Sequence, residues 1–233
     1  MPLPSTPIRL DRSRHAAPQV FEKLREMILT LELAPGTLLS RAELAAWFGI
    51  SQTPVRDALI KLGEEGLVDI FPQHATVVSR IGLAAARQAH FLRRAIELEA
   101  VLAAAALPGE ARATLAARLG DVIHRQDQAM NAQDVNGFIE SDRGFHRLLI
   151  EAAAVPDLGD LIHRRSGQVD RLRRLHLPAQ GKMAAILIDH RRIVAAIAAG
   201  DGAAAQAALR QHLSGTLSQA EQIRSRHPDY VED

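Results

Sequence analysis

Apolar positions recur at helical spacing through most of this chain, and one short stretch departs from that rhythm. From residue 81 to residue 226 a pattern of Ala, Leu, Ile and Val follows a 3.6-residue period, broken only where Pro and Gly cluster. It predicts six helices: 83–107, ended by Pro108-Gly109; 110–131; 134–154, broken before Pro156; 157–177; 182–199, stopped at Gly200; and 201–226, capped by Asp201. Breaks this short between helices of this length imply antiparallel neighbours in a bundle. Residues 38–78 are different. A short amphipathic helix at 43–48 runs into Gly49, which can adopt the positive φ needed to turn sharply into a second helix. Ser51 suits the N-cap of that helix, and Gln52-Thr53-Pro54 suits its first turn. Val55, Leu59 and Leu62 form a narrow apolar stripe and leave Gln52, Thr53 and Arg56 on the other side. Residues 67–71 and 76–78 are rich in β-branched types around Pro72-Gln73-His74-Ala75, as expected of a two-stranded wing. The fold class is therefore mainly α: a winged helix-turn-helix followed by an antiparallel six-helix bundle.

Composition narrows the picture. Apolar residues make up 47% of the 233 positions but aromatics only 3%, so the core must be aliphatic, which favours helix. There is no cysteine, which excludes disulfides and thiolate metal sites and fits a reducing cytoplasm. No apolar run approaches the ~20 residues that span a bilayer. Residues 1–17 are Pro-rich, lack an apolar signal core, and are expected to form a mobile arm. The expected organisation is an arm at 1–17, the winged helix-turn-helix at 18–80, an all-helical domain at 81–227, and a tail at 228–233. Net charge is +1, and residues 1–80 hold nine Lys/Arg against nine Asp/Glu. A neutral DNA-binding half binds phosphate weakly as a monomer. Affinity for double-stranded operator DNA must then come from local placement of Arg41, Arg56 and Lys61 and from pairing two copies in a homodimer.

The run Ser51-Gln52-Thr53-Pro54-Val55-Arg56-Asp57-Ala58-Leu59, with Leu62 and Glu65-Gly66-Leu67-Val68, resembles the core signature of GntR-family bacterial transcription regulators. The similarity extends over about 19–80. The usual pattern has Arg where Gln52 stands and Gly where Ala75 stands. Gln still offers hydrogen bonds to a base edge but brings no charge to a phosphate or to guanine. The residues placed to meet DNA are Arg41, Ser51, Gln52, Thr53, Arg56 and Lys61, with His74 and Thr76 on the wing.

The second half resembles the all-helical FCD effector domain. The resemblance rests on Arg93-Arg94-Ala95-Ile96-Glu97, Asp142-Arg143-Gly144-Phe145-His146, His190-Arg191-Arg192-Ile193 with Gly200-Asp201, and His212-Leu213. The family often has Asn before Pro156, where this chain has Val155. By spacing alone, Asp142 and His146 share a helix face, and such a pair is most often a solvated face or a local ion pair. The resemblance implies more: Asp142, His146, His190 and His212 would bind one divalent metal ion, with Zn, Ni or Mn suited to imidazole and carboxylate ligands. Phe138 and Phe145 are expected in the core. Arg164, Arg165, Arg171, Arg173 and Arg174 are expected to be mostly solvated surface or interdomain contact.

Arg93 has two readings. One is an intrahelical ion pair with Glu97. The other is a cation facing the bundle interior, able to grip a small carboxylate effector, as the FCD resemblance implies. The expected function is a ligand-responsive DNA-binding transcription regulator, a repressor by preference, and not an enzyme. Two other readings are a metal-dependent hydrolase, for which no nucleophile or base stands near the His residues in sequence, and a constitutive DNA-binding protein with an inert bundle.

Overall fold

The structure is a computed structural model and describes residues 8–72 and 74–233. It divides into two compact units, one of residues up to Ala86 together with Arg224–Asp233, the other Arg87–Ile223.

In the first unit α1 (Ala16–Leu29) buries Val20, Leu24, Met27 and Ile28, whose spacing gives one apolar stripe, and packs on α3. Arg25 at its far end is ion-paired with Glu65 at 2.6 Å, holding α1 to the end of α3. The next helix, α2 (Arg41–Phe48), begins at Ser40, whose side chain accepts a hydrogen bond from Glu43 N, and ends at Gly49 with φ +65°. That left-handed residue makes the tight turn into α3 (Gln52–Glu64). Ser51 takes the extended backbone of an N-cap, but its hydroxyl makes no capping bond, contrary to the expectation from sequence. Val55, Ala58, Leu59 and Leu62 are buried beneath α3.

The wing is β1 (Val68–Phe71) paired antiparallel with β2 (Ala75–Val78), in register Val68↔Val78. It is braced on its other edge by residues 36–39, where Leu39 N donates to Thr76 O and Val78 N donates to Thr37 O. Ala75 is paired with Phe71 and does not have a positive φ, so glycine is not required there. Gln73, in the expected wing turn, lies outside the described residues.

Segments before α1 and beyond residue 226 make specific contacts. Residues 1–7 of the expected arm lie outside the described residues. Further along, the Gln19 side chain receives Asp11 N and donates to the carbonyls of Asp11 and Arg14, while Ile8 and Leu10 pack on the core. Residues 228–233, expected as a tail, contain β4 (Val231–Glu232), which runs parallel to β3 (Ile81–Gly82). Arg80 donates to the carbonyl oxygens of Pro228 and Val231, and Val231 is buried.

The second unit takes in α4 (Leu83–Ala105) from Arg87 onward, α5 (Gly109–Asn131), α6 (Val135–Ala152), α7 (Pro156–Arg165), α8 (Gly167–His176), α9 (Lys182–Ala199), α10 (Gly202–Ser214) and α11 (Ala220–Arg226) as far as Ile223. Asp134 and Asp201 cap α6 and α10 through bonds from Gly137 N and Ala204 N. Two of the six expected helices are each divided. The helix expected at 157–177 breaks at Ser166, whose hydroxyl bonds back to Ile162 O at 2.7 Å and precedes Gly167. The helix expected at 201–226 breaks at Gly215-Thr216 and resumes through a 3₁₀ turn, Leu217–Gln219. Phe138 and Phe145 are fully buried in an aliphatic core drawn from α4, α5, α6, α9 and α10.

Candidate functional site

The helices of the second unit bring Asp142 and His146 on α6, His190 on α9 and His212 on α10 to one point. One potential ligand atom from each lies within 4.8 Å of all the others, and all four side chains are buried. His212 Nε2 stands 3.2 Å from His146 Nε2 and 3.3 Å from His190 Nε2. Asp142 carboxylate oxygens stand 3.8 Å from His146 Nε2 and 3.7 Å from His190 Nε2.

Surrounding groups decide which nitrogens carry protons. Glu97 on α4 accepts from His146 Nδ1 at 2.7 Å, and Gln126 Oε1 on α5 accepts from His190 Nδ1 at 2.7 Å. A neutral imidazole that donates from Nδ1 has a bare lone pair at Nε2. Burial and nearby Arg93 push His146 down to about 4, against the opposing pull of Glu97. Burial and His212 push His190 well below its ordinary range. Both rings are therefore neutral at physiological pH, with two lone pairs aimed at one place. A single N–H on His212 can satisfy only one of them. Asp142 Oδ1 is buried without a hydrogen-bond partner. Burial raises the Asp142 pKa, but Arg173, His146, His190 and Arg93 together outweigh it and hold the carboxyl ionised.

Such a donor set suits a shared cation. Tetrahedral ligands at about 2.0–2.1 Å from a metal lie about 3.3 Å apart, close to the observed nitrogen separations. The buried cluster thus fits a metal ion, with Glu97 and Gln126 orienting two of its imidazoles. Asp189 Oδ2 is 3.8 Å from His212 Nδ1, too far for a hydrogen bond. Phe145 stacks on His190 at 3.8 Å between ring centroids and fixes the plane of that ring.

Beside the cluster lies a cavity of about 340 Å³, bordered by His146, by Arg93, Arg143, Arg147 and Arg173, and by the carboxylates Glu97, Glu151, Asp160 and Asp170. Arg93 makes the intrahelical ion pair with Glu97 and also borders this cavity. Its Nε donates to Glu97 at 2.6 Å, and the residue is 8% exposed. Burial raises Glu97, but Arg93 and His146 outweigh it and hold its pKa at about 2, so it stays an acceptor.

Sequence reasoning misplaced Arg171 and Arg173, which are buried rather than solvated. Arg173 on α8 donates to Asp142 Oδ2. The break at Ser166 starts α8 as a new helix, and no local pattern signals where its side chains point. Gln126 also went unnoticed, since a lone Gln on a polar helix carries no distinguishing signal. Glu97 was recognised only as a partner for Arg93.

The first unit has its own concave face, of about 710 Å³, between the start of α2, the outer side of α3 and the wing. Of the eight residues expected to meet DNA, Arg41, Gln52, Arg56, His74 and Thr76 line it. Arg41, Gln52, Arg56 and His74 are exposed, while Thr76 is buried within β2. Ser51 and Thr53 are exposed on α3 or its cap, outside this lining. Lys61 is also outside it, with Nζ 5.4 Å from the centre of the Phe21 ring on α1. Exposed Leu38, Ile60, Ile70 and Phe71 complete the rim.

Comparison with known proteins gives both halves a context. Residues 16–78 match the family model described as bacterial regulatory proteins of the gntR family, and residues 88–215 match the FCD domain. An uncharacterized HTH-type transcriptional regulator in an unstable DNA locus of Streptomyces ambofaciens is 39% identical over 90% of this chain and 87% of its own length. The HTH-type transcriptional repressor RspR of Escherichia coli K12 is 32% identical, with 97% of each chain covered. The solved structure of E. coli McbR/YncC shares the fold, with a TM-score of 0.74 at 21% identity over 92% of this chain and 99% of that one.

Proposed function

As the chain belongs to the GntR family and carries an FCD domain, we propose that this DNA-binding transcription regulator is a homodimeric cytoplasmic repressor governed by a small organic acid. Its relatives are transcription regulators rather than enzymes, which removes the hydrolase reading. Among the described residues no helix is long and apolar enough to cross a membrane. The observation that carries the sensing role is the convergence of three imidazoles and Asp142 beside a cavity bordered by four arginines.

Asp142, His146, His190 and His212 would hold one divalent cation, with Zn, Ni or Mn matching the donor set. Such an ion supplies a Lewis-acidic position open to a carboxylate oxygen. Arginines and carboxylates balance around the cavity, four of each, so the protein alone is not a strong anion trap. A bound cation tips that balance toward anions. Arg93 and Arg173 are placed to orient the acid, each already held by one carboxylate. Arg93 and Glu97 lie on α4, which follows the wing in sequence after the short strand β3. Ligand then acts on DNA binding only as far as it prefers one arrangement of α4 over another.

A thermal-shift screen of small mono- and dicarboxylates tests the reading. An acid at 100 times its Kd should stabilise metal-loaded protein by about 2.7 kcal/mol and do much less after chelation and dialysis. Equal shifts in both forms would remove the metal from the sensing role. No shift with any acid would favour the constitutive DNA-binding reading. Light scattering at micromolar concentration should return about twice the 25.4 kDa chain mass. A monomer mass, with and without operator DNA, would reject the dimer.

A further inference from the structure

Besides buried Leu59, the residues of α3 that border the concave face stand at successive fourth positions: Gln52, Arg56 and Ile60. Residues four apart fall on one side of a helix, about 6 Å apart along its axis. The helix cannot rotate to present another side, because Val55, Ala58, Leu59 and Leu62 are locked in the core. Gln52 is the first residue of α3, is exposed, and makes no side-chain hydrogen bond among the described residues. Arg56 is exposed too, and its nearest carboxylate, on neighbouring Asp57, is 3.6 Å away, so its guanidinium is little committed.

The amide of Gln52 carries an acceptor and a donor side by side. In the major groove, adenine alone offers the complement within one base, an N7 acceptor beside an N6 donor. Guanine offers two acceptors there, N7 and O6, and would face the amide carbonyl with repulsion. Beside the polar Arg41, Arg56 and His74, part of the rim is aliphatic. Ile60 is 44% exposed and Leu38 70%, with nothing to offer a phosphate. Aliphatic groups at a major-groove surface suit the methyl of thymine, the partner base of adenine.

We infer that Gln52 is a specificity-determining residue that reads adenine by a bidentate contact, so each half-site has an obligatory A·T pair at that step. This rests on the DNA-facing role proposed for α3. It goes further by naming the base that one side chain selects.

The test is selection from randomised duplexes with the full-length protein, then competition titrations at one fixed salt concentration. Wild type should enrich a two-fold symmetric motif with adenine at one position of each half-site. Substituting G·C there should weaken binding about 5- to 150-fold. Gln52→Arg should move the preference at that position alone from adenine to guanine, since a guanidinium can donate to both N7 and O6. Gln52→Ala should make that position indifferent while the rest of the motif survives. The side chain is solvent-exposed, so unfolding midpoints should match, which excludes misfolding as the cause. A clear wild-type motif that Gln52→Arg leaves unchanged overturns the inference while sparing the role of α3. A uniform loss of affinity with unchanged base preferences also overturns it, placing Gln52 on the phosphate backbone. A motif that survives disruption of the whole α3 face, as in a Gln52→Ala/Arg56→Ala double variant, overturns both.

Discussion

Replacing His146 with alanine is expected to strip the divalent cation from the bundle and lower the melting temperature by about 5–10 °C. His146 Nε2 faces His212 Nε2 at 3.2 Å, and its other nitrogen is tied to ionised Glu97. Losing the imidazole therefore removes one ligand and leaves the Glu97 carboxylate short of a partner. The temperature range follows from about 2.7 kcal/mol of ligand stabilisation at 100 times Kd, and from about 2–4 °C per kcal/mol for a chain of this size. Metal analysis after growth in supplemented medium should find about one ion per chain in wild type and almost none in the variant. His163→Ala is the control: His163 borders the cavity but is exposed and stands outside the four-residue cluster. Glu97→Gln should fall between, with all four ligands kept and affinity lowered about 10- to 100-fold, because a neutral amide orients His146 less strongly. If His146→Ala and wild type carry equal metal, the cluster is a polar network without an ion.

Arg56→Ala should weaken operator binding by about 1–3 kcal/mol in a gel-shift or anisotropy titration at fixed ionic strength. Arg56 has no structural duty that would confound the result, being exposed with only a 3.6 Å contact to Asp57. Lys61→Ala should change affinity far less. Both positions are basic and lie on the same helix, but Lys61 lies over Phe21 and does not border the concave face. Equal losses from the two would mean that basic charge as such, rather than the side chain's place on α3, governs affinity.

The parts of the fold that were legible in the sequence have strong local signals. Gly49 is the residue whose φ the helix-turn-helix needs, and Asp134, Pro156, Gly200 and Asp201 mark helix boundaries whatever the helices pack against. The metal-ligand candidates were legible through resemblance more than through spacing, since His190 and His212 belong to different helices and meet only in the folded bundle. What was hidden depends on packing across the chain. Serine is common within helices, so Ser166 gave no warning that its hydroxyl would bond back and let the helix break. Arg173 and Gln126 look like ordinary surface residues until α8 and α5 are folded against α6 and α9. Their burial comes from distant neighbours, and only the assembled bundle shows that Arg173 holds Asp142 while Gln126 holds His190.

The pairing of β4 with β3 bears on the order in which this protein is made. Ile81 is paired with Val231, and Arg80 is bonded to carbonyls about 150 positions downstream. During translation the helix-turn-helix and wing leave the ribosome first and have their own core to fold around. Their last strand pairing must wait until the entire helical bundle has been synthesised. A fragment cut after Ala86 would keep α3 and lose the strand paired with Ile81. The DNA-binding unit is therefore completed last, by a segment that follows the FCD helices in the chain.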